Sequence, residues 1–422
     1  MTWKVFTAEV KAILRPWPTI ITAVLALGTM FLLSPVMAST MEPSTAQMIE
    51  QYGPKATPAL ISGSERHNAS LEQDFQSDLA KLQPQAGKEG VKDYRTARAF
   101  TDKIQQQVWQ DASVADSPDG KLADQITGLK SYQDLLSGHR IVDNYQGCNR
   151  QSLTIRAADR LGLLPRADRQ MHYQYLSDLD AGKKSNPPQL PAQAQQRVEE
   201  LAGQCQAGMG LTRPDDVFDL TQAYLRMAFF VVLLATLGLC APLLTRNRMC
   251  RMRQTQWVTR TGRRVQGIEM ASACCVSLLV TLAVYGFSMI LWLPKFSAYL
   301  DTPVFDGSYL PWFDWTLGTY ILVFLLTSIA LNMGCALLMV WVSAHCGSYI
   351  SLLLILVPFV VVAFILEAEW LMVSPFIIGN VVNNLLPVKG IEGYIDLAVL
   401  VLGALLCWAS AHRIKHQQLA TA

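Results

Sequence analysis

Thr245-Arg246-Asn247-Arg248-Met249-Cys250-Arg251-Met252-Arg253-Gln254-Thr255-Gln256-Trp257-Val258-Thr259-Arg260-Thr261-Gly262-Arg263-Arg264 is the stretch that decides the fold. It holds seven arginines and no acidic residue, and long apolar stretches flank it on both sides. Short loops rich in Lys and Arg stay on the cytoplasmic side of a membrane. The segment therefore orients every apolar stretch around it.

Composition agrees. Apolar residues make up 51% of the 422-residue chain, and they are unevenly spread. Residues 41–222 carry 24 acidic and 20 basic side chains, against 9 and 15 in all the rest. Two solvents are implied, water for the first block and lipid for the second. Topology accounts for the arginine cluster, so no nucleic-acid partner is expected.

Seven of the nine cysteines (240, 250, 274, 275, 335, 346 and 407) fall in apolar segments or in the arginine loop. No C-x-x-C pair or His/Cys spacing suggests a metal, and none is expected. Only Cys148 and Cys205 lie in the polar block. Outside the cytoplasm they can form a disulfide; two unrelated buried thiols is the other reading.

Residues 1–16 alternate charged and apolar side chains at helical spacing, with Trp3, Phe6, Val10, Ile13 and Leu14 on one face. An amphipathic interfacial helix is expected there, followed by a first transmembrane helix within 17–40. Lys4, Lys11 and Arg15 before an apolar run ending Val36-Met37-Ala38 also fit a cleavable signal peptide. The long amphipathic start, and a run long enough to span, favour a retained helix. Residues 41–222 read as a helical extracytoplasmic domain, with helical periodicity over Lys92–Gln110 and Leu122–Leu136 and turns at Ser117–Gly120 and Lys184–Pro188. Gly182-Lys183-Lys184-Ser185 lacks the leading glycine and the Gly-Lys-Ser/Thr ending of a phosphate-binding loop, and no other stretch supplies one.

Residues 223–422 read as five more spans, near 223–244, 268–293, 316–342, 349–366 and 394–411, with a cytoplasmic loop at 245–267. The expected fold is an all-α integral membrane protein. It has six transmembrane helices and a large helical extracytoplasmic domain between the first and second. Charge sets the topology. Lys4, Lys11, Arg15, the seven loop arginines, Arg413 and Lys415 fall inside, while Asp301, Asp306, Asp314, Glu367, Glu369 and Glu392 outnumber Lys295 and Lys389 outside. Both termini are then cytoplasmic, and each charge buried by the opposite topology would cost about 3 kcal/mol.

Leu371–Val388 is apolar but broken by Pro375, Gly379, Asn380, Asn383 and Asn384. It reads as an outer re-entrant hairpin whose asparagines face protein or a water-filled path; an amphipathic surface helix reads equally well. Within the spans the polar residues are mild, Ser277, Thr281, Thr327, Ser328 and Asn332 among them. With Asn380, Asn383 and Asn384, Asn332 is a candidate for a translocation path. Ser328, Asn332 and Ala336 give a small-residue stripe for close helix packing. No charge is expected inside the spans, which argues against an ion- or proton-coupled transporter. No catalytic constellation is visible, so the chain is not expected to be an enzyme.

The order of elements resembles the membrane subunit, or permease, of type-2 ABC exporters. So does Ala241-Pro242-Leu243-Leu244 running into the arginine loop, then Trp257-Val258-Thr259-Arg260-Thr261-Gly262-Arg263-Arg264, an apolar approach and Glu269. In that family a Ser/Thr-x-x-Gly-Arg string ends the cytoplasmic segment between the second and third spans, and a helix there docks on a separate ATPase. The resemblance implies that Arg260, Gly262, Arg263 and Arg264 contact such an ATPase subunit. It also implies that ATP and Mg reside on that partner with no cofactor on this chain, and that a second permease copy or a related permease completes the path. A bacterial plasma-membrane location is implied too. The cargo expected is hydrophobic or amphipathic: a peptide, an antibiotic or a lipid. Two alternatives are a membrane-anchored sensor acting through its extracytoplasmic domain and a passive channel. The first calls for a cytoplasmic output domain, and only about a dozen residues follow span six. The second calls for a continuous polar face, which only Leu371–Val388 hints at.

Overall fold

A computed structural model of the chain describes residues 2–14, 16–38, 55–146, 148–164, 189–207, 209–210, 217–245, 265–305, 309–365, 375–379 and 386–420. In chain order they form α1 (Thr2–Ile13), α2 (Pro16–Ala38), β1 (Lys55–Ala56), α3 (Pro58–Lys81), a one-turn helix at Gln83–Ala86 and α4 (Tyr94–Gln110). Then come a 3-10 turn at Ala112–Asp116, α5 (Pro118–Thr127), α6 (Lys130–Gln146), α7 (Arg150–Arg160), α8 (Ala192–Ala207) and β2 (Met209–Gly210). The series ends with α9 (Val217–Cys240), α10 (Val265–Phe296), a 3-10 turn at Ser297–Tyr299, α11 (Leu317–His345), α12 (Tyr349–Ala363) and α13 (Ile391–Ala420). Among the described residues the only sheet is the antiparallel β1–β2 pair.

The chain divides into two units. The polar unit comprises residues 41–216 together with 301–315. Its helices start where short polar side chains take up the free backbone N–H groups of a first turn. Asp93 and Thr96 form a reciprocal capping box at α4, Ser117 caps α5 with Pro118 in the first turn, and Asn149 caps α7. Phe75, Leu79, Tyr94, Tyr132 and Leu135 are buried together as one core. The helix expected over Leu122–Leu136 is broken. α5 ends at Gly128, α6 starts at Lys130, and Gln133 Nε2 donates to Thr127 O at 2.7 Å across the break. Ser117–Gly120, expected as a turn, is the capped start of α5.

Residues 301–315, expected as a plain outer loop, belong to this unit. Leu310 and Trp312 are fully buried. The buried Arg197 of α8 donates through Nε to Pro311 O at 2.7 Å and pairs with Asp314 at 2.5 Å and Glu200 at 2.8 Å. Cys148 and Cys205 are disulfide-bonded, their Cα atoms 5.9 Å apart, and Arg150–Glu199 at 2.6 Å adds a second tie between the same stretches.

The apolar unit comprises residues 1–40, 217–300 and 316–422. Five of its helices are long and apolar enough to cross a membrane: Trp17–Ser34, Val217–Thr245, Gly267–Pro294, Leu317–His345 and Ile391–Arg413. The chain is therefore a multi-pass membrane protein. The span expected near 349–366 is α12, only 15 residues over its described length.

The span expected from Ala223 starts six residues earlier, at Val217, and takes in Asp219 and Gln222. The span expected from Tyr394 starts at Ile391 and takes in Glu392. α11 and α13 meet closely at glycines, and Ser328, Asn332 and Ala336 of the expected stripe are buried. A Cβ at Gly334 would stand 2.8 Å from Leu400 N, and one at Gly403 would stand 2.9 Å from Gly334 O. Half of the apolar face of α1 is docked on protein. Ile13, with Val10 and Leu14, packs on Leu239, Leu243, Ala273 and Ala344, whereas Trp3 stays exposed and stacks on Phe6.

A buried polar layer and a clamped base

Four of the residues expected to carry function, Arg260, Gly262, Arg263 and Arg264, lie outside the described residues, as do Asn380, Asn383 and Asn384. The described residues on either side of the arginine segment are Thr245, five residues past the end of α9, and Val265, the first of α10. Thr245 is fully buried, and its backbone N–H donates to Ser343 Oγ at 3.0 Å. Its hydroxyl lies 3.0 Å from the same oxygen, which ties the foot of α9 to the foot of α11. Cys240 Sγ meets Ala273 O one turn up, joining α9 to α10. The apolar cluster around Ile13 surrounds these bonds and brings α1 into the same base.

Toward the opposite ends of these helices lies a layer of buried polar and aromatic groups. Trp292 of α10 stacks on Tyr224 of α9 at 4.4 Å, and its Nε1 donates to Thr221 Oγ1 at 3.3 Å. Tyr224 OH donates to Ser288 O at 3.3 Å. Tyr320 of α11 is buried against Phe218, within interaction range of Gln222, Glu392 and Asp219.

Three acidic residues of this unit are buried, which corrects the expectation that its spans bury no charge. Glu392 and Asp396, 1% and 2% exposed, lie four residues apart on one face of α13. Glu269 of α10 is buried as well, at 3%. Glu392 stands in the first turn of α13, where the helix dipole favours a carboxylate; Asp396 stands a turn deeper. Gly334 meets Leu400 and Leu337 meets Gly403, so α11 and α13 run parallel with a constant offset. Counting back four residues from both Gly334 and Leu400 sets Asp396 level with Ala330, close to the middle of the 29-residue α11. In α13 itself Asp396 is near the start of the apolar stretch Ile391–Arg413, and buried ionisable residues in membrane helices mark pathways for ions or polar groups.

Of the translocation-path candidates only Asn332 is described. It is fully buried, and its Nδ2 donates to Ser328 O at 2.9 Å. Its Oδ1 has no hydrogen-bond partner among the described residues. Part of the expected re-entrant element is also described. Phe376, Ile377 and Ile378 are buried, Phe376 adopts φ 63°, and its ring lies 3.7 Å from where a Cβ on Gly393 would stand. The turn is thus seated on the first turn of α13, between Glu392 and Asp396. Among the described residues no three His, Cys, Asp or Glu side chains gather as a metal site.

Glu392, Asp396, Tyr320 and Gln222 were missed from sequence because Glu392 reads as a loop residue and Asp396 as an isolated acid inside an apolar run. The signal that finds them is two acids at helical spacing heading a span. Comparison with protein-family models, curated proteins and solved structures returns no match.

Proposed function

We propose that this chain is the permease subunit of an ATP-driven ABC exporter in a bacterial plasma membrane. It would move a hydrophobic or amphipathic cargo such as a peptide, an antibiotic or a lipid, with ATP and Mg held on a separate ATPase subunit. One observation carries the reading: the base to which the arginine segment is anchored. Thr245 bonded to Ser343, Cys240 on Ala273 and Ile13 within the cluster make the feet of α1, α9, α10 and α11 one packed body. Packed interiors move between discrete arrangements rather than deforming continuously. A force applied at Arg260–Arg264 would therefore shift these helices together. Guanidinium groups in that segment suit carboxylates on a partner, and Gly262 allows the sharp break that a docking helix needs before a span. A second permease, identical or related, would complete the path, with the polar unit outside the cytoplasm, six spans and both termini within it.

The test is a mild-detergent pull-down of the tagged chain from its host. A stoichiometric Walker-motif ATPase, lost when Arg263→Glu and Arg264→Glu are combined, is the expected result. A chain that purifies alone without nucleotide hydrolysis sinks the proposal.

The buried acids favour a second reading, transport coupled to a cation rather than to ATP. It predicts uptake into vesicles driven by an ion gradient alone and abolished by Asp396→Asn.

A further inference from the structure

Two apolar cavities, of 210 and 240 Å³, open along α2 where it meets α9 and α10. They share Thr22, Ala26 and Ala235 in their linings and so lie side by side as a slot along α2. Its rim residues Leu25, Leu234 and Leu279 are 65%, 53% and 47% exposed, so the slot opens sideways from helices that span the bilayer. The solvent it meets there is hydrocarbon. One end is closed by Leu14, the residue that follows α1. Thr19 lines that same cavity, and its hydroxyl is buried without a hydrogen-bond partner among the described residues. An apolar slot that opens into hydrocarbon suits the apolar tail of a lipid.

Charge at that end identifies the head. Lys11 lies three residues before Leu14, hence beside it on the helix surface, and Lys4 falls on the same stripe two turns earlier. Both lysines are exposed. α1 carries Lys4 and Lys11 against one acidic residue, Glu9, with none in its first turn and Lys11 in its last. A basic amphipathic helix of this kind attracts anionic lipid surfaces.

We propose that this slot binds an acyl chain of an anionic phospholipid. The acyl chain lies in the slot and the phosphate is held by Lys11 and Lys4. The bound lipid then fills the seam between α2 and the α9–α10 pair. The site does not depend on the export reading, because it needs neither a cargo nor an ATPase.

The test uses the full-length chain, purified in mild detergent and washed with dioleoyl phosphatidylglycerol or dioleoyl phosphatidylcholine. Retained lipid is then counted by native mass spectrometry. One phosphatidylglycerol per chain should be retained in preference to phosphatidylcholine. Lys4→Gln with Lys11→Gln leaves the helix packing untouched and should cut the preference about fivefold for each lysine removed. Ala283→Trp, at an exposed position lining the slot, should lower retention of both lipids. Equal retention of the two lipids by the parent chain overturns the proposal, and so does a preference unchanged in the double lysine variant. Loss of all lipid to detergent, with the chain still monodisperse, overturns it as well.

Discussion

The two units differ in how far their side-chain bonds reach. In the polar unit several of them, beside the local caps, reach across the sequence. Arg197 joins Pro311 and Asp314, Arg150 joins Glu199, Ser131 joins Asp78 and Thr101 joins Tyr132. In the apolar unit many stay within one helix. Thr29 donates to Leu25 O, Thr281 to Ser277 O, Thr327 to Val323 O and Asn332 to Ser328 O. Lipid offers no competing partner, so a hydroxyl or amide in a span turns back on its own carbonyls. Water competes for every polar atom, so a helical domain surrounded by it gains fixed geometry only from ties between distant segments. Where the apolar unit does bond across helices, as at Thr245–Ser343 and Trp292–Thr221, those bonds mark its clamped base and its polar layer.

Breaking the covalent tie of the polar unit should give the largest effect. Reduction, or Cys148→Ser with Cys205→Ser, reopens a 57-residue separation and should destabilise that unit by roughly 4 kcal/mol. Hydrogen exchange by mass spectrometry on the full chain should then show α7 and α8 losing protection while α11 and α13 keep theirs. A uniform loss would show that the units do not unfold independently.

Next comes the corresponding break in the apolar unit. Gly334→Val drives side-chain atoms into the Leu400 backbone, which has no rotamer to yield, so about 3 kcal/mol is expected. The readout is lost thermal stability in detergent with the exchange of α3–α8 unchanged.

Arg197→Met keeps an unbranched apolar stem but removes the donors to Pro311 O and the pairing with Asp314. Because Asp314 is largely exposed and regains water, the cost should be about 2 kcal/mol, read as faster exchange in α8.

The smallest effect separates the units by pH. The backbone N–H and hydroxyl of Thr96 hold the Asp93 carboxyl below its ordinary value. Its contribution is therefore present above about pH 4 and is lost as the pH falls through the lowered folded value. Asp93→Ala should cost about 1 kcal/mol at neutral pH. The gap to the parent should close in acid, measured as protection of the first turn of α4.

Much of the fold was legible because its signals are local. The apolar runs at 17–34 and 317–345 announce themselves by length, and Asp93, Ser117 and Asn149 announce helix starts by residue type. The break at Gly128 was missed because periodicity runs through it on both sides. The candidate site was far less legible. Asn332 was found as a polar residue in an apolar run, but Asp396 gains its meaning from its level beside α11, and Glu392 from the Phe376 turn seated above it.

By itself the sequence determined that this is a helical, multi-pass membrane protein with a water-exposed block, because hydrocarbon thickness and charge asymmetry act on each segment separately. It also marked the segment 246–264 as the cluster of cations around which the spans are arranged. Only the tertiary structure decided that 301–315 belongs to the polar unit, that Cys148 meets Cys205, that two glycines set the α11–α13 crossing, and that Glu392 and Asp396 are interior. Each of these depends on which distant residues come together, and neither hydropathy nor periodicity encodes that.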